Sequence, residues 1–266
     1  MTKNRTRRSI IVLVVLILLT IAAALVACVV GQVHATPHDV TNTILMSWGV
    51  KSDGTTPRIV TSTLWEVRFP RLVIALAVGA GLGCAGALLQ GIFANPLAEP
   101  SIIGVSSGGA VFASGLLAIA SLAGVERSYG FLKWGTALAA FIGALLTTLL
   151  VYSLSRVQGK TVVVNLILVG VAINAMAGGF VTLFSFIGGT MAQSQVVFWQ
   201  LGSLAGAGWS SAVITLIITV IGIVIACLCA PKMDLLALGE NQARHLGVNV
   251  ERFRLCVIIL VAALVG

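Results

Sequence analysis

The chain has 266 residues, of which 58% are hydrophobic and 9% charged, and its mean hydropathy is +1.08. An average soluble domain is about 25% charged, so a water-facing globular enzyme is excluded, and disorder is excluded because it needs low hydrophobicity and dense charge. The net charge of +8 comes from 16 Lys and Arg against 8 Asp and Glu. The basic residues are scattered over loops, which makes a lipid surface, and not nucleic acid, the anionic partner.

Charge-free runs predict membrane spans over 9–30, 72–94, 101–124, 134–155, 162–187 and 209–230, with a seventh beginning near 253. Each holds the roughly 20 apolar residues that a crossing helix needs; the longest run, between Lys160 and Lys232, has 71 residues without a charge. The fold class is therefore all-α, a polytopic bundle of about six complete spans plus the start of a seventh. The first span follows Lys3, Arg5, Arg7 and Arg8 and exceeds the apolar length of a signal peptide, so it reads as a signal anchor. Its basic start puts the N-terminus inside. Alternation puts 31–71, 125–133 and 188–208 outside, and Arg156/Lys160 and Lys232/Arg244 inside. Arg68 and Arg71 then sit at the outer mouth of the second span, against the charge bias. After Arg254 only 12 apolar residues remain, about 18 Å of helix against about 30 Å of hydrocarbon. The seventh span reads as unfinished and the chain as C-terminally incomplete.

Several motifs are decoys. Gly81-Leu-Gly83-Cys-Ala-Gly86 matches a dinucleotide fingerprint but lies mid-span with no strand before it. Gln158-Gly159-Lys160-Thr161 resembles the end of a phosphate loop, but Leu154 stands where the opening glycine belongs. His34 and His38 flank Pro37 in a polar loop, and the five cysteines, all in or beside apolar runs, form no CxxC pair, so no metal site is read. Gly79-x-x-x-Gly83, Gly104-x-x-x-Gly108 and Gly178–Gly179 are candidate points of close helix contact.

Three segments break the plain apolar pattern. In the first, Arg68-Phe-Pro-Arg71 leads into a glycine-rich span, then Gln90 and Asn95-Pro-Leu-Ala-Glu-Pro100. Its two prolines interrupt the helix, and irregular polar backbone near a membrane is tolerated where it lines a path or is buried in protein. The second, Phe198–Trp209, carries two tryptophans suited to an interfacial belt. The third is Pro231–Gly247. There Asp234 is a candidate helix cap, Leu235, Leu238 and Leu246 an apolar face, and Gly239 and Gly247 turn ends. A short amphipathic helix pair there suits either a lipid surface or a partner's groove.

At these segments the chain resembles the permease subunits of ABC importers for iron-siderophore complexes, haem and cobalamin. The resemblance runs from about residue 59 to the C-terminus and rests on the first segment together with Gly79, Gly86 and Gly104. Further matches are Leu168–Ile173, Gly202-Ser-Leu-Ala-Gly206 and Leu238-Gly-Glu…Ala243…Leu246-Gly247. It departs at Gly109, where the family usually has a small residue such as Ala, and in length, since family permeases have about ten helices.

The resemblance implies a single permease domain over 1–266 in a bacterial cytoplasmic membrane, doing no chemistry itself. Its partners would be a second permease copy, two ATPase subunits that bind ATP and Mg, and an extracytoplasmic substrate-binding protein; this chain would bind no cofactor. Arg68 and Arg71 match arginines that pair with glutamates of the binding protein. Asn95 and Leu97, with Gln90 and Asn174 beside them, match the inner gate and translocation path, and Arg156–Thr161 matches a second gate loop. The 234–247 segment, with Asp234, Leu238, Gly239, Glu240, Ala243, Leu246 and Gly247, matches the elements that dock on the ATPase. The cargo implied is an iron chelate, a ferric siderophore before haem or cobalamin. A secondary transporter of a small solute is the competing reading; it would need ionisable groups inside the spans, which offer mainly Gln90, Asn165 and Asn174.

Overall fold

The computed structural model describes residues 2–49, 55–124 and 129–266; the parts of the expected outer loops at 50–54 and 125–128 lie outside them. Among the described residues, six helices are long and apolar enough to cross a membrane: Arg7–Val29, Arg58–Phe93, Val105–Leu122, Trp134–Leu154, Val163–Ile187 and Trp209–Ala237. They fall on the six expected spans. The chain is an all-α, polytopic membrane bundle with two compact units: Met1–Leu76 with Leu204–Leu216, and Ala77–Ser203 with Ile217–Gly266.

In the first unit, helix α1 (Thr2–Val29) exposes apolar side chains from Ile10 to Val26, the surface a lipid-facing helix presents. The expected outer loop is largely helical. Helix α2 (Pro37–Ser47) starts with Pro at its first turn and a reciprocal cap: the Asp39 amide donates to Thr36 Oγ1 at 3.2 Å while the Thr36 amide donates to Asp39 Oδ2 at 2.8 Å. Helix α3 (Arg58–Ser62) passes through a π-helical stretch, Thr63–Arg68, into α4 (Phe69–Phe93). The second span therefore begins well before residue 72. Cys28, Val40, Val60 and Leu64 form a small core, and Trp209 donates its indole N–H to the Trp65 carbonyl at 2.8 Å, the two rings 5.1 Å apart.

The second unit holds α5 (Val105–Leu122), α6 (Tyr129–Leu154), α7 (Val163–Ile187), α8 (Gly189–Leu201), α10 (Glu240–His245) and α11 (Val250–Val265). It also takes in the later parts of α4 and of α9 (Trp209–Ala237). Leu89, Ile92, Ile103, Val151, Leu166, Val257 and Val261 centre its core. Helix α9 continues through Pro231 to Ala237. The expected pair of short helices is therefore a single one, α10, and Asp234 is an exposed residue inside α9, not a helix cap. One interior proline removes one helical donor, and Leu236, buried one turn later, anchors the final turn to the core.

Lipid gives little hydrophobic drive between helices, so close backbone approach does the work. At Gly108 a Cβ would overlap the Gly143 carbonyl and Thr147 of the facing α6, and at Gly170 it would overlap the Ile102 carbonyl. Gly79, Gly83, Gly178 and Gly179 instead meet open space within the chain. Of the expected contact motifs, the one ending at Gly108 is used; the others turn to helix faces that no neighbour of this chain covers.

The two kinds of glycine should separate on substitution. Gly179→Ala has room and gains helix propensity of about 0.5–1 kcal/mol, whereas Gly170→Ala forces backbone apart at about 1–3 kcal/mol. Thermal unfolding in detergent should leave the first at or above wild type and lower the second by roughly 4 °C or more. Equal midpoints would remove Gly170 as a packing contact.

Candidate functional site

The second unit gathers its polar groups at the end formed by the close of α4, a turn, a hairpin and α10. After α4 the chain makes an irregular turn. The Leu97 amide donates to Asn95 Oδ1 at 2.9 Å, satisfying backbone that Pro96 and Pro100 withhold from a helix. Ser101 donates to Glu99, and a 3-10 turn, Pro100–Ile103, leads into α5. Asn174 holds this turn from α7, its Nδ2 donating to the Ser101 carbonyl at 3.0 Å. The other amide atom of Asn174, Oδ1, is buried without a hydrogen bond, and the residue lines a cavity of about 700 Å³ with Ser106, Ser107, Thr182, Trp199 and Gln200. Leu97 is 80% exposed, Asn95 half-buried and Gln90 exposed.

The hairpin pairs β1 (Arg156–Val157) with β2 (Lys160–Thr161). Gln158 and Gly159 both take positive φ, of 50° and 79°, the geometry of the two-residue turn that matches strand twist. Helix α10 is bounded by Gly239 (φ 115°) and Gly247 (φ 87°) and anchored by fully buried Ala243. Leu238 and Leu246, at its two ends, are 65% and 60% exposed.

A charge network joins these pieces. Arg254, 3% exposed, binds Glu240 through Nη2, donates from Nε to the Ile92 carbonyl at 3.3 Å, and sets Nη1 3.7 Å from Glu251 Oε1. Glu251 accepts from the Thr161 hydroxyl at 2.6 Å and its amide at 3.2 Å. Arg244 lies 3.8 Å from Glu240 and 3.9 Å from Glu251. Burial pushes the Glu251 carboxyl up. The hydrogen bonds from Thr161 and the charges of Arg254 and Arg156 outweigh it and hold the group below the ordinary carboxylate range. Sequence reasoning missed Arg254 and Glu251. Their signal was there: opposite charges three apart at the opening of an otherwise apolar helix.

In the first unit Arg68 and Arg71 line a cavity of about 660 Å³ with Val30, Gln32, Val33 and Leu204. They are not an equivalent surface pair. Arg68 is buried, and its guanidinium donates to the carbonyls of Cys28, Val29 and Val33 at the C-terminal end of α1. Unsatisfied carbonyls and the negative end of the helix dipole draw a cation there, so Arg68 is occupied internally, whereas docking needs a reachable charge. Half-buried Arg71 donates once, to the Ala205 carbonyl at 3.0 Å, and its Nε is buried without a hydrogen bond. Among the described residues no group of three His, Cys, Asp or Glu side chains could hold a metal.

Residues 10–266 match the FecCD transport family. The chain belongs to that family. Among curated relatives, this FecCD-family chain is 34% identical over 205 residues to the hemin transport system permease protein HmuU of Yersinia pestis, covering 76% of this chain and 60% of the relative. It is 36% identical over 203 residues to the vitamin B12 import system permease protein BtuC of Vibrio vulnificus, with coverages of 76% and 59%. To the cobalamin import system permease protein BtuC of Halobacterium salinarum it is 37% identical over 186 residues, with coverages of 70% and 48%. The chain thus spans about half to three fifths of these relatives' length. A solved inward-facing structure of an ABC transporter assigned to the metal-chelate type superposes with a TM-score of 0.73 at 29% identity, covering 96% of this chain and 73% of that one.

The depressed Glu251 fixes the sign of a pH effect in this FecCD-family protein. Its folded pKa lies below its unfolded value, so its contribution is present above the unfolded value of about 4.3. It is lost as pH falls through the folded one. Thermal unfolding of wild type and Glu251→Gln from pH 7 to pH 3 should show the variant less stable at pH 7 and the gap closing below about pH 4.3. A gap constant down to pH 3 would contradict the assignment.

Proposed function

We propose that this chain is a transmembrane permease subunit of an ABC importer that moves a metal chelate into the cytoplasm. Residues 1–266 form one permease domain with the N-terminus inside, paired with a second permease copy. ATP and Mg are handled by two partner ATPase subunits, and an extracytoplasmic binding protein delivers the cargo. The single observation that carries this reading is α10: a short helix between two positive-φ glycines, with exposed Leu238 and Leu246 at its ends. It has the form that an ATPase groove would take up.

Residues 234–247 then form the coupling segment, in which Leu238 and Leu246 make the contact, Gly239 and Gly247 set the helix ends, and Ala243 seats it. Asp234 and Glu240 supply its acidic groups. Asn95, Leu97 and Gln90 belong to the inner gate, with Arg156–Thr161 as the facing gate loop, and Asn174 belongs to the path. Transport runs by alternating access, in which closing of the ATPases moves α10 and the gate turns follow. Docking of the binding protein falls to Arg71, which is only half-buried, with Arg68 fixing the end of α1 beside it. Names of the relatives, hemin and cobalamin permeases among them, support a large metal chelate as cargo; a ferric siderophore is our specific proposal. The neutral polar lining of the Asn174 cavity suits a bulky chelate recognised by shape.

Burying a leucine is worth about 1.5–3 kcal/mol, so Leu238→Asp and Leu246→Asp should each reduce co-purification of a co-expressed ATPase subunit roughly tenfold or more. Membrane content of the permease should stay unchanged. Undiminished association in the double variant would end the assignment of α10. Uptake into cells expressing the full importer, tested with a ferric hydroxamate, haemin and cyanocobalamin, separates the cargoes; uptake of the second or third alone would overturn the siderophore proposal.

A further inference from the structure

Among the described residues, two charged side chains are buried, Arg68 and Arg254. They end on different groups. Arg68 meets only backbone carbonyls, while Arg254 meets Glu240, stands beside Glu251 and reaches the Ile92 carbonyl. Through these three contacts it touches α10, the start of α11 and the last turn of α4. Glu251 extends the connection to Thr161 at the end of the hairpin, and Tyr152 donates to the Glu251 carbonyl at 3.3 Å. One guanidinium thus ties together segments as far apart in sequence as Ile92, Thr161 and Glu240.

Stability alone does not call for this arrangement. An apolar residue of similar volume in place of a buried ion pair is often neutral or stabilising, because desolvation of the charges is costly. The chain has only 8 acidic residues, and two of them converge on Arg254. Breaking one arm would leave a charge buried without its partner, so the segments at the ends of those arms are held in step. Helix α10 has few other polar ties: positive-φ glycines bound it, and Ala243 is its buried apolar anchor. Its motion enters the network through the half-exposed Glu240 side chain and, at longer range, through Arg244, 3.9 Å from Glu251.

We propose that Arg254 is a positioning residue for coupling, which binds α10, the 156–161 hairpin and the end of α4 into one mechanical unit. Displacement of α10 is thereby delivered to the turns carrying Asn95–Leu97 and Lys160–Thr161. The inference rests on the reading of α10 as the ATPase contact, but the tie itself can be tested without any ATPase.

The test uses the full chain with its five cysteines replaced and a single cysteine placed by Ala98→Cys, in the turn after α4, or Ser155→Cys, at the foot of the hairpin, both buried in the wild type. Labelling with a water-soluble maleimide is measured in open membrane fragments. Without ATPase, Glu240→Gln, remote in sequence from both reporters, should raise labelling at 98 and 155 at least threefold as the tie loosens. Arg254→Gln should do the same, and Arg254→Lys should restore part of the protection by keeping the cation. Unchanged labelling in Glu240→Gln and Arg254→Gln overturns the proposal. Because Arg254→Gln removes the cation beside the part-buried Glu251 and is the variant at risk of misfolding, the half-exposed Glu240→Gln decides where it does not insert.

In a second arm the chain is co-expressed with an ATPase subunit and treated with ATP and vanadate. Arg254→Gln should still co-purify the ATPase but lose at least fivefold of the nucleotide-dependent change in labelling at Ala98→Cys. A packing role alone would leave that nucleotide dependence intact, and its persistence overturns the proposal. If the parent chain fails to bind the ATPase, the reading of α10 falls, and the tie is judged on the first arm.

Discussion

Inside a bilayer no water answers an unpaired carbonyl or guanidinium, so a polar group carried into the interior is costly unless it finds a partner on the chain. The irregular turn after α4 exists under that constraint. Pro96 and Pro100 deny the segment a helix, and its groups are met by Asn95, by Glu99 acting on Ser101, and by Asn174 reaching across from α7. The end of α1 obeys the same rule, with Arg68 closing three carbonyls. At these two helix ends the chain has placed a side chain that meets the groups left open.

Packing then follows from where backbone meets backbone. Helix α7 rides against the carbonyl of Ile102 because Gly170 has no Cβ, and that closeness brings Asn174, four residues on, within reach of Ser101. The glycine and the asparagine act together: one permits the approach, the other satisfies the turn exposed by it. Glycines with open space around them show that small residues in a span do not by themselves mark a contact.

Membrane class, span number and the polar interruptions were legible in the sequence, because 20-residue apolar runs and paired prolines have few other meanings. Which glycines touch was not, since a one-residue change in helix phase turns a small face toward or away from a neighbour. Nor was the extent of α9, where local chemistry at Pro231 argued for an end and packing of Leu236 overrode it. Arg68 and Arg71 were recognisable as out of place by charge. Only the three-dimensional arrangement separates them, because Arg68 meets the end of a helix some 40 residues earlier. Glu251 and Arg254 were overlooked for the opposite reason: a charged residue at the opening of a span reads as ordinary interfacial chemistry.

The two buried arginines show how acceptor chemistry decides what a cation does. Carbonyls at the end of α1 belong to a helix whose hydrogen bonds would have to break before they could leave, so Arg68 makes a fixed joint. Arg254 meets the Ile92 carbonyl, Glu240 on α10 and Glu251 on its own helix α11, and Arg244 stands within 4 Å of both carboxylates. Separating a carboxylate from the buried guanidinium leaves a charge without its partner, so the elements that carry them move together. A fixed joint suits the place where α1 ends beside the start of the second span. A tie between charged side chains suits the end where we place the ATPase contact, because a shift of α10 would then carry the turns beside it.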